Sequence, residues 1–177
     1  KAIEINPYLP SAHTNLGNVL TKLGKLKEAE IYLRKSINLN PYDALPYSSL
    51  GDVLNITGKS NEAERYWKES IKLDPSIERT SFLLAEKEYS KGKYENAIKI
   101  LNGKSYGRSQ SMILACLLCL DKENEFYQKY DELTSKNFCN AEIGGVVEHA
   151  NIIYKKRMNS PFCNQTKKYI LLDKINE

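Results

Sequence analysis

A chain of 177 residues with 41% apolar and 27% charged residues has the composition of an ordinary globular protein, which excludes disorder of the whole chain. Its longest apolar run, residues 112–120, falls far short of the roughly 20 residues a membrane helix needs, and no signal-peptide pattern opens the sequence. The net charge of +4 gathers at one end, because residues 155–177 carry six Lys or Arg against two Asp or Glu while residues 1–154 carry 20 of each.

Taken in order, residues 1–9 read as the end of a preceding repeat, since Lys1-Ala2-Ile3-Glu4-Ile5-Asn6-Pro7 matches Lys35-Ser36-Ile37-Asn38-Leu39-Asn40-Pro41. Residues 10–43 then fall on residues 44–77 at a step of 34. Leu16, Leu50 and Leu84 align; so do Gly17, Gly51 and Ala85, then Gly24, Gly58 and Gly92, then Ala29, Ala63 and Ala97. Each unit predicts a first helix of about 13 residues, stopped by a Gly that suits the left-handed conformation and is followed by Lys. The second helix of the first unit is expected from Leu26 to Leu39, with Ala29, Tyr32, Leu33, Ser36 and Ile37 along one face. Small residues at 17, 51, 85, 29, 63 and 97 let the paired backbones approach, and Asn40-Pro41 and Asp74-Pro75 end the second helices.

Residues 78–107 keep the pattern until Asn102-Gly103, so their second helix is expected to be short. Residues 108–137 read as a degenerate hairpin, Ser109 to Leu120 and Glu123 to Leu133, broken at Asp121-Lys122. Residues 138–158 hold a capping helix, Ala141 to Arg157, started by Asn140 and striped with Ile143, Val146, Val147, Ala150, Ile153 and Tyr154. Residues 159–177 form a basic tail or linker, with a short helix near Lys167 to Lys174.

These coincident positions resemble the tetratricopeptide repeat. The likeness implies an all-α fold, a right-handed superhelical solenoid of antiparallel helix pairs closed by a helical carboxy-terminal cap. It also implies a non-catalytic scaffold that binds a protein or peptide in a groove lined by the first helices. The corresponding positions are Ser11, Thr14, Asn15, Asn18 and Thr21; Leu45, Ser48, Ser49, Asp52 and Asn55; Arg79, Phe82, Leu83, Glu86 and Tyr89. Of these, Thr14, Asn15, Asn18, Thr21, Ser48, Asp52, Asn55, Phe82, Glu86 and Tyr89 are the expected peptide-binding residues. Asp52 and Glu86 make the groove acidic at its far end, and Thr14, Ser48 and Phe82 replace the basic clamp with which some relatives hold acidic carboxyl termini, so an acidic tail is not the expected partner. Asn15 resembles the backbone-binding Asn of the repeats that precede the O-linked N-acetylglucosamine transferase catalytic region, but Ser49 and Leu83 interrupt that ladder.

A second reading makes the chain the substrate-recruiting amino-terminal adaptor of a larger enzyme, with a glycosyltransferase or oxygenase domain following. Ser160-Pro161-Phe162-Cys163 with Tyr169-Ile170 resembles the junction at which some bacterial tetratricopeptide proteins pass into an iron and 2-oxoglutarate oxygenase. No His-x-Asp pair with a distant His stands in this sequence to hold the iron.

The remaining motifs point away from chemistry. Cys116 and Cys119 share a helix face, but their apolar surroundings read as buried small side chains rather than a metal or redox site, and Cys139 and Cys163 are unpaired in sequence. Four cysteines so placed also argue against a disulfide framework, and a reduced cytoplasmic setting is expected; the sequons at Asn55 and Asn164 carry no weight there. His13 reads as a packing residue and His149 lacks a neighbouring nucleophile or ligand set, while Gly144-Gly145 lacks the Lys and spacing of a phosphate loop. Neither a cofactor nor a metal is expected. Lys155-Lys156-Arg157 closes a helix at its negative end rather than marking a nucleic-acid or membrane surface, so neither is an expected partner. Ile3 and Ile5, lacking the first half of their repeat, form an open edge through which the chain could self-associate.

Overall fold

A computed structural model of the chain describes residues 6–105, 107–136 and 141–154. Several expectations lie outside the described residues: the edge at Ile3 and Ile5, the cap at Asn140, the thiols of Cys139 and Cys163, the basic stretches from Lys155 and Lys167, and the junction at residues 160–170. Among the described residues there are nine α-helices and no strand: α1 Pro10–Lys22, α2 Leu26–Leu39, α3 Ala44–Ile56, α4 Ser60–Leu73, α5 Glu78–Ser90, α6 Tyr94–Leu101, α7 Gly107–Cys119, α8 Glu123–Ser135 and α9 Ala141–Ile153. The fold is an all-α solenoid of the tetratricopeptide type. It divides into two compact units between Leu84 and Ala85.

In the first unit α1 packs on α2, α3 on α4, and α2 on α3. The close approach expected of the small residues is present: a Cβ on Gly17 would stand 2.6 Å from Leu33 Cγ, and one on Gly51 would stand 2.4 Å from Trp67 Cδ1. Leu33, Leu50, Val53, Leu54, Ala63 and Trp67 fill the core between these helices. Two buried serines tie each pair together at one register position, Ser36 Oγ donating to Pro10 O and Ser70 Oγ to Ala44 O, both at 2.9 Å. Those carbonyls belong to residues at the starts of α1 and α3, so each bond fixes where a first helix begins against its second.

The turns repeat as strictly as the helices. Gly24 N–H reaches Thr21 O and Lys25 N–H reaches Leu20 O, a left-handed helix stop. Gly58, Gly92 and Asp121 take the same place with the same two bonds, and Asp121 does so at a positive φ of 54° despite its side chain. Asp tolerates that conformation better than most residues, so the break expected at Asp121-Lys122 is the same turn without its glycine. Between pairs, Asn6, Asn40 and Asp74 each accept with Oδ1 from the amide two residues on, at 3.0, 3.2 and 2.9 Å. Asn40 and Asp74 thus end one helix and build the turn into the next, and Asn6 builds the same turn before α1.

The second unit has its own core, from Ala97, Leu101, Leu114, Cys116, Phe126, Tyr130, Ile143, Val147 and Ala150. Its α6 is eight residues long against 14 in α2 and α4, because Asn102-Gly103 stops it, Gly103 at φ 76°. Helix α7 starts at Gly107, two residues before the expected Ser109, because its first turn buries the polar Ser109, Gln110 and Ser111, which apolar periodicity cannot register. In α9 the stripe holds at Ile143, Val147 and Ala150, but Ile153 is 54% exposed.

Candidate interaction face

The expected groove residues do not share one environment. On α1, Asn15 is exposed and Asn18 half-buried, and among the described residues neither amide has a hydrogen-bond partner; Asn55 on α3 is exposed in the same state. Three carboxamides, each able to donate and accept, are therefore free on the first helices of the first unit. Thr21 is half-buried with its hydroxyl turned to Gly17 O at 2.8 Å. Phe82 on α5 is partly exposed.

Two expectations are corrected. Thr14 and Ser48 are buried, 4% and 6% exposed, and their hydroxyls are spent inside the packing: Thr14 Oγ1 lies 2.7 Å from Ser36 Oγ, and Ser48 Oγ lies 2.6 Å from Thr80 Oγ1. Neither is open to a ligand. Asp52 is not a free groove carboxylate either. It accepts from Trp67 Nε1 at 3.1 Å and is ion-paired with Arg79, and its side chain is 14% exposed against 69% for Arg79. The first unit therefore shows a guanidinium at this place rather than a negative charge, anchored by the carboxylate beneath it.

In the second unit Glu86 is exposed, and Tyr89 is half-buried with its hydroxyl 3.5 Å from Cys119 Sγ. Cys119 is exposed, so of the expected buried pair only Cys116 holds. Burial, with Cys119 beside it, pushes the Cys116 thiol up to about 12, and the bond to Cys119 with burial pushes the Tyr89 phenol up to about 12. Both groups stay protonated near neutrality, which suits packing rather than nucleophilic chemistry. Tyr89, Cys119, Gly145 and His149 share a groove of about 620 Å³ between α5, α7 and α9. His13, by contrast, is the packing residue expected, fully buried, its Nε2 2.8 Å from Pro7 O and its ring stacked on Tyr32.

Sequence reading overlooked a charged recess of about 310 Å³ lined by Arg34, Tyr47, Glu62, Arg65, Tyr66 and Glu69, on α2, α3 and α4. Arg34 pairs with Glu30 at 2.8 Å, donates to Tyr66 Oη at 2.7 Å and lies over the Tyr66 ring. Position 34 of one unit and position 66 of the next carry no joint motif, so only the side-chain contacts between α2 and α4 could reveal them. Among the described residues no group of three or more His, Cys, Asp or Glu could hold a metal, and no helix is long and apolar enough to cross a membrane.

Comparison with known proteins agrees with this architecture. Residues 10–43 match the family model of the tetratricopeptide repeat. No curated protein matches the chain in sequence. Among solved structures, the chain is similar to YrrB, described as a tetratricopeptide protein with an unusual peptide-binding site, at a TM-score of 0.65 and 15% identity over 89% of this chain and 92% of that one. It is similar to PilF of Pseudomonas aeruginosa at 0.62 and 17% over 79% and 68%, and to MamA at 0.59 and 15% over 88% and 86%. At such identities these likenesses concern the fold. Residues 10–43 are thus a tetratricopeptide repeat by sequence, and the helix-pair fold of the described residues is that of tetratricopeptide proteins.

Proposed function

We propose that the chain is a non-catalytic protein-interaction scaffold that holds a peptide segment of its partner on the face made by the first helices. The observation that carries this reading is the trio of free carboxamides, Asn15, Asn18 and Asn55, on α1 and α3. An extended peptide offers alternating N–H and C=O groups, and an exposed carboxamide matches both without selecting a sequence. Arg79, held by Asp52 on α3, adds further donors to the first unit. Phe82, also in the first unit, is the other residue of this face expected to meet a partner, and Glu86 and Tyr89 are expected to do so on the second unit by itself. YrrB, described as having a peptide-binding site, shares the fold and lends the reading general support.

The test is selection of a displayed peptide library on the immobilised chain. Enriched peptides should bind the purified protein and lose affinity to the variant combining Asn15→Leu, Asn18→Leu and Asn55→Leu, whose helices should be as stable as those of the parent because Leu is the better helix former. Failure to enrich any peptide, or undiminished binding to the folded triple variant, overturns the reading. Glu86→Lys belongs in the same series. Asp52→Lys does not, because it would break the bonds to Trp67 and Arg79 and so confuse folding with binding.

A further inference from the structure

The groove of the second unit differs in chemistry from the amide-bearing face of the first. Leu118 on α7 and Val146 and Ile153 on α9 turn hydrocarbon toward it, and Ile153 is 54% exposed. Its floor is open at Gly145, where an added Cβ would meet nothing within 4 Å. A helix interior gains nothing from a glycine that packs against no neighbour, so here the missing side chain serves the depth of the groove. With about 620 Å³ the hollow has room for several bulky side chains at once. Its edges are acidic. Glu86, one helical turn before Tyr89 and so on the same side of α5, is exposed and has no partner among the described residues. Glu142, which lines the groove from α9, is about half exposed in a pair with Arg108 at 3.3 Å, a contact between exposed groups that a better-placed cation can replace.

We propose that this groove binds a partner segment that presents bulky apolar side chains beside a basic residue, the apolar groups seated over Gly145 and the base meeting Glu86. The proposal rests on the scaffold reading above and names the chemistry of what the second unit takes. Water is expelled from Leu118, Val146 and Ile153, which supplies affinity; the free carboxylate supplies discrimination, because an acidic segment would be repelled at the place where a basic one is held.

Three labelled synthetic peptides and the full chain test it by fluorescence anisotropy. The first has Leu and Phe at helical spacing with flanking Lys; the second replaces Leu and Phe by Ser; the third replaces Lys by Glu. The first should bind at least about tenfold more tightly than the second, and the third should be weakened several-fold at low salt and less at high salt. Gly145→Leu fills the groove at a helical position, so circular dichroism and Tm should hold or rise while the first peptide loses about tenfold or more in affinity. Glu86→Lys should weaken the first peptide and favour the third. Equal binding of the first and second peptides, or full affinity in folded Gly145→Leu, overturns the proposal. Library-selected peptides that need the three carboxamides but ignore Gly145→Leu would also overturn it, and would leave the scaffold reading standing. A dimer that Gly145→Leu dissolves, or a gain in peptide affinity on Leu171→Asp, would show the occupant to be a second copy or the chain's own tail, and the proposal of a partner would fall.

Discussion

The pair α1/α2 and the pair α3/α4 are one pattern written twice, and they differ most where Leu33 in the first corresponds to Trp67 in the second. Both side chains lie over a glycine of the first helix, and both are fully or nearly fully buried. Leucine has nothing further to offer, and among the described residues the Asn18 amide has no partner. The indole carries a donor, which reaches Asp52, the residue in register with Asn18, and Asp52 in turn holds Arg79. A core substitution on the second helix has thereby changed the chemistry shown on the first. Burial differs too: Val19 is 52% exposed whereas its counterpart Val53 is fully buried, because α3 sits between other helices and α1 lacks a neighbour on that side among the described residues. A solenoid repeat therefore fixes backbone register but leaves both surface and stability to its context.

The sharpest way to break the comparison is to fill the two glycines. Gly51→Leu should destabilise by about 1–3 kcal/mol or more, since the obstacle is the face of a rigid indole that cannot move aside without opening α3 from α4. Gly17→Leu should cost less, because its obstacles, Leu33 Cγ and Cδ2, belong to a side chain that can change rotamer. Urea denaturation of both variants checks the order, and equal midpoints would show that the two pairs pack alike after all. Next in size is the valine pair. Val53→Ala removes two buried methyl groups and should cost about 1.5 kcal/mol or more, whereas Val19→Ala should stay within about 0.5 kcal/mol. A large effect at Val19 would mean that this face is covered in solution.

Which parts of this were readable beforehand follows from what a repeat encodes. The Gly-Lys punctuation and the Pro steps are local, and α2 runs from Leu26 to Leu39 as its stripe predicts. The state of the groove residues is not local. Asp52 meets a donor 15 residues away and another 27 residues away, so its position on the helix told its direction but not its partners. Thr14 and Ser48 sit at a position that faces the groove in the family, yet small hydroxyls there find Ser36 and Thr80 within reach and turn inward. Cys119 lies within an apolar run that reads as core, but one side of α7 faces an open groove rather than another helix. Trp67→Phe cuts the non-local link: the lost indole N–H should cost about 1 kcal/mol, the ring volume left empty adds to it, and Arg79 should loosen. The Arg79 side-chain Nε signal in an NMR spectrum would report it, and an unchanged signal would argue that the salt bridge stands alone.

The smallest effect separates the outer faces of the two pairs. Glu30 and Arg34 stand in register with Glu64 and Lys68, and each acid lies near its base, at 2.8 and 2.7 Å. Arg34 also reaches Tyr66 and Glu62, which a lysine's single charged nitrogen could not do together. The Arg34 hydrogen bond, opposed by burial and assisted by Lys59, holds the Glu30 carboxyl below the ordinary range. A depressed folded value means that the contribution is present at neutral pH and fades as acid takes the solution below the unfolded value and on through the folded one. Glu30→Gln should therefore lose up to about 1 kcal/mol near neutrality and progressively less below about pH 4, its melting curve converging with that of the parent. The modest size follows from the 41% exposure of Arg34, which lets water and salt screen the pair, so the gap at neutral pH should also narrow in high salt. A gap that persists unchanged in acid would assign the role of Glu30 to packing of its methylene groups, and the arginine network would then be an ornament of α2 rather than a joint between the two repeats.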